Sequence, residues 1–271
     1  MLIQLKINNR CNYNCSYCCD KPDNNSIQIP FDFDGFNHLI QELRNNGEVP
    51  EIFIIGGESF TYPNFIEVLQ FINSKKILCT IQTNGFLLPS FYKELKLLDY
   101  VKCSISYHHI ETTFKEFLKL KAYQEVCNEI VIMFDSSLES IKRSTQYLNL
   151  LKNIFITCSI KMAPIINILP PTIKYKATKD ITYWVTETNS NGSILLNTFN
   201  KYGYYIPVEE NTLCEVKSKT LYCYNNNVYP CKSHLMKNTG AIQFKDYEYD
   251  TELMICPFNK CESFESIYIK G

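Results

Sequence analysis

Three cysteines within eight residues are the feature of this chain that most directly suggests chemistry. Cys11, Cys15 and Cys18 follow the first apolar segment with the spacing C-x3-C-x2-C. Thiolates at this density can hold one face of a four-iron cube, and three ligands leave one iron without a protein ligand. An open metal position is typical of catalytic sites, whereas structural sites are closed by a full ligand set. The spacing therefore predicts an iron–sulfur centre that can bind a further molecule.

Two other uses of clustered cysteines fit this spacing less well. A lone zinc ribbon needs paired C-x2-C knuckles. A disulfide framework is typical of small secreted chains, whereas this chain has 271 residues and no signal-peptide pattern at its start. Cys19 directly follows Cys18, and its side chain diverges from that neighbour, so we do not expect it to be a ligand.

The cysteine loop resembles the cluster-binding loop of the radical S-adenosylmethionine (radical SAM) superfamily, in which the third cysteine usually follows an aromatic residue, here Tyr17. The resemblance implies a core [4Fe–4S] cluster on Cys11, Cys15 and Cys18 that binds S-adenosylmethionine (SAM) at its open iron. It further implies reductive cleavage of SAM to a 5′-deoxyadenosyl radical, which abstracts hydrogen from a substrate carbon. The cofactor carries this chemistry and the protein orients it. An external electron donor such as flavodoxin or ferredoxin is implied as a partner.

Strand-like and helix-like patterns alternate over the first part of the chain. Strands are predicted at Leu2–Ile7, Glu51–Ile55, Ile77–Gln82, Tyr100–Ser106, Glu129–Phe134 and Ile154–Lys161. Helices are predicted at Phe31–Arg44, Asn64–Asn73, Pro89–Leu98, Thr112–Tyr123 and Leu138–Leu151. This rhythm predicts an α/β fold of parallel strands with crossover helices. Six strands fit a partial (β/α)6 TIM-like barrel, which is also the core that the resemblance implies.

A second motif, Gly56-Gly57-Glu58, follows the second predicted strand. Glycine at a strand end permits positive φ and a close approach of the backbone to a ligand, and the carboxylate can pair with an ammonium group. In radical SAM proteins this motif binds the amino group of the methionine moiety. The family pattern often continues with proline, and Ser59 stands there in this chain.

Two further polar segments end the third and fourth predicted strands, at the edge where barrel sites form. Thr83 and Asn84 resemble the family's Thr-Asn-Gly segment, although Asn-Gly is also an ordinary turn. Ser104 and Ser106 occupy the place of a family ribose contact, and the alternative is a polar strand end. The resemblance thus implies one set of cofactor-binding residues: Tyr17, Gly56, Gly57, Glu58, Thr83, Asn84, Ser104 and Ser106.

Three residues are candidates for contact with substrate or for proton transfer. His108 and His109 follow the fourth strand, and adjacent side chains on an extended segment point to opposite faces, which makes them poor joint metal ligands. Asp135 follows the fifth strand, and its alternative role is the N-cap of the next helix. By analogy with the family, Lys161 and Met162 lie near the adenine.

The C-terminal cysteines form a third signal. Cys214, Cys231, Cys256 and Cys261 resemble the ligands of an auxiliary cluster domain of the SPASM/Twitch type, in which a hairpin carries cysteines and a later pair completes the set. One auxiliary [4Fe–4S] cluster fits the number of cysteines. Zinc is the alternative, because four thiolates suit both metals, and Cys223 is an alternative ligand to Cys214. A hairpin is predicted at 220–229 around Asn225 and Asn226.

These patterns divide the chain into three parts. The barrel core is expected at 1–165, an irregular connector at 166–205, and a small Twitch-like extension that contains the hairpin at 206–271. The formal net charge of −1 gives no basic field for nucleic acid. No apolar run is long enough to cross a bilayer, so a cytoplasmic protein is expected.

The substrate cannot be identified from these motifs, and three hypotheses follow. The first is a radical SAM enzyme acting on a polar small molecule by a two-electron oxidation or a related modification, because the first strand starts at Leu2 and leaves no room for a leader-peptide domain. The second is a maturase that modifies a short ribosomal precursor peptide, as auxiliary-cluster enzymes often do. The third is a non-catalytic iron–sulfur or zinc binding module, against which the intact Gly-Gly-Glu motif argues.

Overall fold

The structure is a computed structural model of the chain. It describes residues 1–18, 21–134, 138–164, 220–231, 235 and 238–250. It also describes the backbone of short strands at 186–188, 194–196, 206–207, 213–214, 254–255, 260–261 and 268–269.

Strands and helices alternate through residue 164. The strands are β1 (Leu2–Asn8), β2 (Glu51–Gly56), β3 (Cys79–Thr83), β4 (Val101–Tyr107), β5 (Cys127–Phe134) and β6 (Ser159–Pro164). The helices are α1 (Phe33–Asn45), α2 (Phe65–Ser74), α3 (Leu88–Leu95), α4 (Phe114–Leu118) and α5 (Leu138–Ile154). The later strands are β7 (Thr186–Thr188), β8 (Ile194–Leu196), β9 (Ile206–Pro207), β10 (Leu213–Cys214), β11 (Thr220–Tyr224), β12 (Asn227–Tyr229), β13 (Ile242–Gln243), β14 (Met254–Ile255), β15 (Lys260–Cys261) and β16 (Tyr268–Ile269).

The first six strands form a parallel sheet in chain order, and each is connected to the next through a helix. Within each strand alternate side chains are buried against the helices, as Ile3 and Leu5 are in β1. All five helices place apolar side chains in this same cluster, so they cover one face of the sheet. The predicted α/β fold and partial (β/α)6 barrel are confirmed, and the sheet is open.

One predicted helix differs from the observed structure. Thr112–Tyr123 was expected as a single helix, but α4 ends at Leu118 and a 3-10 helix continues over Lys119–Val126. Thr113 starts α4 with a capping box to Glu116. Beyond it, buried or partly buried apolar residues recur at intervals of three, which suits three residues per turn: Phe117, Leu120, Tyr123 and Val126.

The C-terminal hairpin belongs to the core sheet, a position that the sequence patterns did not predict. β11 pairs in parallel with β1, and β12 and β13 extend the sheet, giving the order β13-β12-β11-β1-β2-β3-β4-β5-β6. Asn225 and Asn226 have φ values of 50° and 62°, the left-handed conformation expected of asparagine in a tight hairpin turn. The Asn226 side chain accepts from the backbone N–H of Asp32 at 3.0 Å. The turn is thereby tied to the start of α1.

Phe244 anchors the segment after the hairpin to the barrel. Its ring is fully buried and lies 5.2 Å from the ring of Phe36 in α1, and its backbone N–H donates to Asn226 O at 3.0 Å. This contact joins residues separated by most of the chain.

Truncation of this ring should destabilise the protein. We expect Phe244→Ala to lower the free energy of unfolding by about 3–5 kcal/mol because it leaves a cavity in the core. Urea denaturation followed by far-UV circular dichroism measures the change. The control is Ile242→Ala, at a site that is 40% exposed, where we expect about 0.5 kcal/mol or less. Equal losses for the two variants would contradict the anchoring role.

Candidate functional site

The C-terminal ends of β1 to β4 carry the motifs predicted from sequence, so the parallel sheet brings those motifs to one edge. The cysteine loop follows β1, Gly56-Gly57-Glu58 follows β2, Thr83-Asn84 follows β3, and His108-His109 follows β4. In (β/α) barrels this edge is where reactive groups converge.

Gly56 and Gly57 let the chain leaving β1 pass in direct contact with the end of β2. Gly56 has a φ of +143°, and a Cβ there would lie 2.6 Å from Asn8 O. A Cβ on Gly57 would lie 1.9 Å from Arg10 O, far inside any real contact distance. The Gly57 N–H donates to Asn8 O at 3.2 Å, and the Glu58 N–H donates to Arg10 O at 2.7 Å. The glycines therefore permit two backbones to meet, a constraint beyond the ligand approach expected from sequence.

Glu58 is fully buried and binds the loops after β2 and β3 to each other. Its Oε1 accepts from Thr83 Oγ1 at 2.7 Å and from the Phe60 N–H at 3.3 Å. Its Oε2 accepts from the Asn84 N–H at 2.8 Å. Burial raises the pKa of this carboxyl group, and the hydrogen bond from the Asn84 backbone opposes that rise. Its acceptors already serve protein donors, which makes Glu58 a connector beneath the site.

Asn84 carries the connection on to the cysteine loop. Its side-chain Nδ2 donates to Asn12 Oδ1 at 2.9 Å and lies 4.0 Å from Cys11 Sγ. Asn84 is itself buried. Glu58, Asn84 and Asn12 thus form one hydrogen-bonded chain that joins three separate motifs.

The three loop cysteines are half-buried thiols in a tight turn. The Cys18 N–H donates to Cys15 O at 3.0 Å, and the Tyr13 N–H donates to Cys11 Sγ at 3.4 Å. Burial raises the pKa of Cys11, and it raises that of Cys15 to about 12. Thiols in this environment ionise through metal coordination. Their residue type, their spacing and the N–H donor to sulfur fit an iron–sulfur cluster.

In the described part of the chain, no three His, Cys, Asp or Glu side chains are arranged to hold a single metal ion.

Tyr17 and His108 join the loop after β4 to the cysteine loop. Tyr17 Oη and His108 Nδ1 are 2.7 Å apart, and the two rings are stacked with centroids 6.0 Å apart. Tyr13 meets the edge of His108 at 6.2 Å and of Phe86 at 6.2 Å. Burial lowers the pKa of His108 to about 4, with His109 adding to the shift, so the imidazole is neutral at pH 7. These ring contacts join the cysteine loop to the loops after β3 and β4.

The field around the thiols is negative. Beyond the dominant effect of burial, Glu111 raises the pKa of Cys15, and Glu58 and Glu111 raise the pKa of Cys11. Like charges resist the formation of further negative charge. These acidic side chains therefore add to the effect of burial in keeping the thiols protonated.

The two serines of β4 have different surroundings. Ser104 donates from Oγ to Glu129 Oε1 at 2.8 Å, a partner that was not predicted. Ser106 lies two residues nearer the cysteine loop, with Gln82 Nε2 at 3.5 Å from its Oγ. Ser106 therefore lies closer than Ser104 to the C-terminal end of β4.

The remaining candidates lie partly outside the described residues. Asp135 and Cys256 fall there, and the side chains of Cys214 and Cys261 are not described. Cys214 pairs through its backbone with Met254, two residues before Cys256 in sequence. Cys223 is fully buried within β11 and belongs to the apolar core, where burial raises the pKa of its thiol. Cys223, the alternative ligand to Cys214, is therefore a residue of the apolar core.

The family model of the radical SAM superfamily matches residues 5–159. This match covers more than half of the chain and contains the cysteine loop, the Gly-Gly-Glu motif and the Thr-Asn segment. The chain belongs to the radical SAM superfamily. The family uses a [4Fe–4S] cluster and SAM. In the described part of the chain no helix is long and apolar enough to cross a membrane.

Three individual proteins that resemble this chain do so at 28% sequence identity or below. GTP 3′,8-cyclase of Campylobacter jejuni (strain RM1221) is 28% identical over 146 residues, which cover 50% of this chain and 42% of the cyclase. The chain thus spans under half the length of these curated relatives. Streptococcus suis SuiB bound to S-adenosylmethionine is similar in fold, with a TM-score of 0.60 at 15% identity over 91% of this chain and 63% of SuiB. anSMEcpe with bound AdoMet gives a TM-score of 0.53 at 16% identity, covering 91% of this chain and 78% of that one.

Several residues at this edge of the sheet were not found by sequence reasoning. Asn8 donates from Nδ2 to Glu58 O at 3.3 Å, and Asn12 is the end of the hydrogen-bonded chain. Asn8 lies outside the motifs, and Asn12 occupies a position of the cysteine loop whose residue type the C-x3-C-x2-C spacing does not specify. Glu129 lies away from this edge, in the N-terminal half of β5, and it did carry a signal because it is a charged residue within an apolar strand.

The contact at Gly57 gives a sharp test of this geometry. We expect Gly57→Ala to displace the chain after β1, because the new methyl group would overlap Arg10 O, and to reduce reconstituted iron and SAM cleavage at least tenfold. The control is Gly47→Ala. No other atom lies within 4 Å of the Cβ that this change adds, and a side chain at the φ of +81° lowers the stability of the fold by about 1 kcal/mol. Iron analysis and chromatography of 5′-deoxyadenosine provide the readouts. Wild-type iron content in Gly57→Ala would contradict the close approach.

The role of Glu58 as a connector predicts a loss of stability on its isosteric replacement. Glu58→Gln turns one acceptor into a donor that faces the N–H or O–H of its partners, and we expect the free energy of unfolding to fall by about 1–3 kcal/mol. Urea denaturation of the metal-free protein isolates this effect from cofactor binding. The control is Glu67→Gln on the exposed side of α2, with about 0.5 kcal/mol or less. A change no larger than the control's would show that Glu58 does not hold the loops.

Proposed function

We propose that this protein is an enzyme that cleaves SAM reductively and removes hydrogen from a polar small molecule, in a two-electron oxidation or a related modification. The observation that carries the proposal is the hydrogen-bonded chain from Glu58 through Asn84 to Asn12. It connects the cysteine loop to the two motifs that the family uses for SAM, at the C-terminal edge of parallel strands.

Each part of the site has a proposed task. Cys11, Cys15 and Cys18 hold the core cluster, and Tyr17, Gly56, Gly57, Glu58, Thr83, Asn84, Ser104 and Ser106 form or support the SAM pocket. When bound, the cluster and SAM supply an electron and a 5′-deoxyadenosyl radical that takes a hydrogen atom from carbon. Asn84 positions the cysteine loop, and the rings of Tyr13 and His108 exclude water from one side of it. His108, His109 and Asp135 are the candidates for substrate contact or proton transfer.

The C-terminal cysteines support a second centre. We propose that Cys214, Cys231, Cys256 and Cys261 bind an auxiliary [4Fe–4S] cluster, with zinc as the alternative metal. Cys231 directly follows the hairpin of the core sheet and is buried, and the pairing of Cys214 with Met254 brings two of the segments together. An auxiliary cluster would accept an electron from the substrate and so suit a net oxidation. An external donor such as flavodoxin or ferredoxin would reduce the core cluster.

A short peptide is the competing substrate class. The resemblance of the C-terminal cysteines to auxiliary-cluster domains favours it, because enzymes with such domains often modify peptides. Affinity separates the two classes: binding of a precursor peptide depends on its sequence, whereas binding of a small molecule has no such requirement.

Removal of one thiolate tests the core assignment. We expect Cys15→Ala to abolish 5′-deoxyadenosine formation from SAM under anaerobic, reducing conditions, because the core cluster then lacks one of its three ligands. The matched control is Cys79→Ala, since Cys79 is a buried thiol of the apolar core. Undiminished formation by Cys15→Ala would contradict the assignment, as would an equal loss in the control.

Metal analysis tests the number and type of centres. We expect about eight irons per reconstituted chain, falling to about four when Cys11, Cys15 and Cys18 are all replaced by alanine. About four irons falling to none, with one zinc retained, would replace the auxiliary cluster by a structural zinc site. Retention of all iron in the triple variant would contradict the core cluster.

A further inference from the structure

The face of the barrel sheet opposite the helices carries polar side chains at positions where barrels are ordinarily filled by branched apolar residues. In β4, Cys103 and Ile105 are buried in the helix-side core, so Ser104 and Ser106 face the barrel interior. In β5, Ile130 and Ile132 belong to that core. By the same alternation Glu129 faces the interior.

Lys161 also faces the interior, because it lies between the core residues Ile160 and Met162 of β6. Three interior side chains form one array. Ser104 Oγ donates to Glu129 Oε1 at 2.8 Å, and Lys161 Nζ pairs with Glu129 Oε2. The side chains keep part of their surface accessible, 18% for Glu129 and 27% for Lys161. The ion pair is therefore held in place on one side and open on the other.

The interior is accessible at the centre of the sheet as well. β3 has strands on both sides within a nine-stranded sheet, yet Gln82 is exposed. Its amide points to Ser106, with 3.5 Å between Gln82 Nε2 and Ser106 Oγ. An exposed side chain on a central strand means that the face around it borders an open space.

Strand register places this array next to the candidate SAM site. Thr83 pairs with Ile105, so Ser106 lies beside the start of the Asn84 segment. Val131 pairs with both Ser106 and Lys161. Lys161 therefore lies at the level of Ser106, and Glu129 lies two residues deeper in the barrel, about 7 Å along the strand.

We propose that Glu129 and Lys161, with Ser104 fixing the carboxylate, bind the polar end of the substrate. The proposal rests on the proposed function, which it refines by naming a ligand chemistry. A carboxylate beside an ammonium group matches a ligand that presents a hydrogen-bond donor next to an oxygen acceptor. The vicinal hydroxyls of a sugar offer this pair, and so do the ammonium and carboxylate groups of a free amino acid.

A purely structural role explains the array less well. Two charges withdrawn from water lose hydration, and replacing an internal ion pair by apolar residues is often neutral or stabilising. The same layer of the sheet could be closed by apolar side chains, as the helix side is. The retained charge and its accessible surface are what a binding site requires.

The test measures ligand affinity in the reconstituted, SAM-loaded enzyme by anaerobic calorimetric titration. The probes are a panel of nucleosides and free sugars and a panel of the standard amino acids. We expect wild type to bind a member of one panel, and Glu129→Gln or Lys161→Met to weaken it about 10- to 100-fold, as expected when a hydrogen bond to a charged group is lost. Ser104→Ala keeps the ion pair and should weaken binding severalfold, so it serves if a charge variant does not fold.

The matched controls are Lys96→Met and Glu125→Gln, which change an exposed pair 2.9 Å apart on the outer surface. We expect both to keep wild-type affinity. The panel that binds identifies the source of the ligand group. Binding of no probe by wild type, equal affinity in wild type and the Glu129 and Lys161 variants, or a loss of SAM affinity with unchanged probe affinity would overturn the proposal.

The same preparations separate this inference from the proposed function. Formation of 5′-deoxyadenosine with a strong reductant is measured in wild type and in the surface controls. If none of these forms it, the proposed function fails. If they form it while Glu129→Gln and Lys161→Met bind the probe as wild type does, only the assignment of the interior ion pair fails.

Discussion

The burial of a single carboxylate organises the catalytic edge of the barrel. Glu58 loses all contact with water, so its charge must be compensated by donors held in place. Thr83 at the end of β3, Phe60 in the 3-10 turn after β2 and the Asn84 backbone supply them. Because an unmet hydrogen bond in this setting is costly, the loops after β2 and β3 adopt the arrangement in which Asn84 reaches the cysteine loop.

The alternation of side chains along the parallel strands places the apolar core on one face of the sheet and polar side chains on the other. Residues on the helix side, such as Ile54, Ile81 and Ile130, are fully buried and form one core. Residues on the other face lie outside this core and can be polar, as Gln82 and Glu129 are. The two faces are coupled by register, since a shift of one residue would exchange them. The geometry of the interior therefore depends on apolar packing on the opposite side of the sheet.

Much of the barrel could be predicted from the sequence because its signals are local. The period of apolar residues in α1, Pro89 near the start of α3 and the asparagines of the hairpin turn act within a few residues of each other. The cysteine spacing and the glycine pair were likewise local. The rest depends on contacts between distant segments: no pattern indicated that β11 joins β1, or that Asn12 meets Asn84. The split of the helix after Leu118 does not follow from the sequence, because apolar residues three positions apart are compatible with both an α-helix and a 3-10 helix.

The parallel pairing of β11 with β1 also has a consequence for how the chain folds. β1 leaves the ribosome before its neighbour Thr220–Tyr224, which follows more than 200 residues later. Until then one side of β1 presents unpaired N–H and C=O groups, which are a template for wrong strand pairing. Long-range pairing of this kind also slows folding, because loop closure precedes any gain from contact. The nascent barrel therefore passes through a period with an open edge on its first strand, during which a chaperone that covers strand edges would protect it from aggregation.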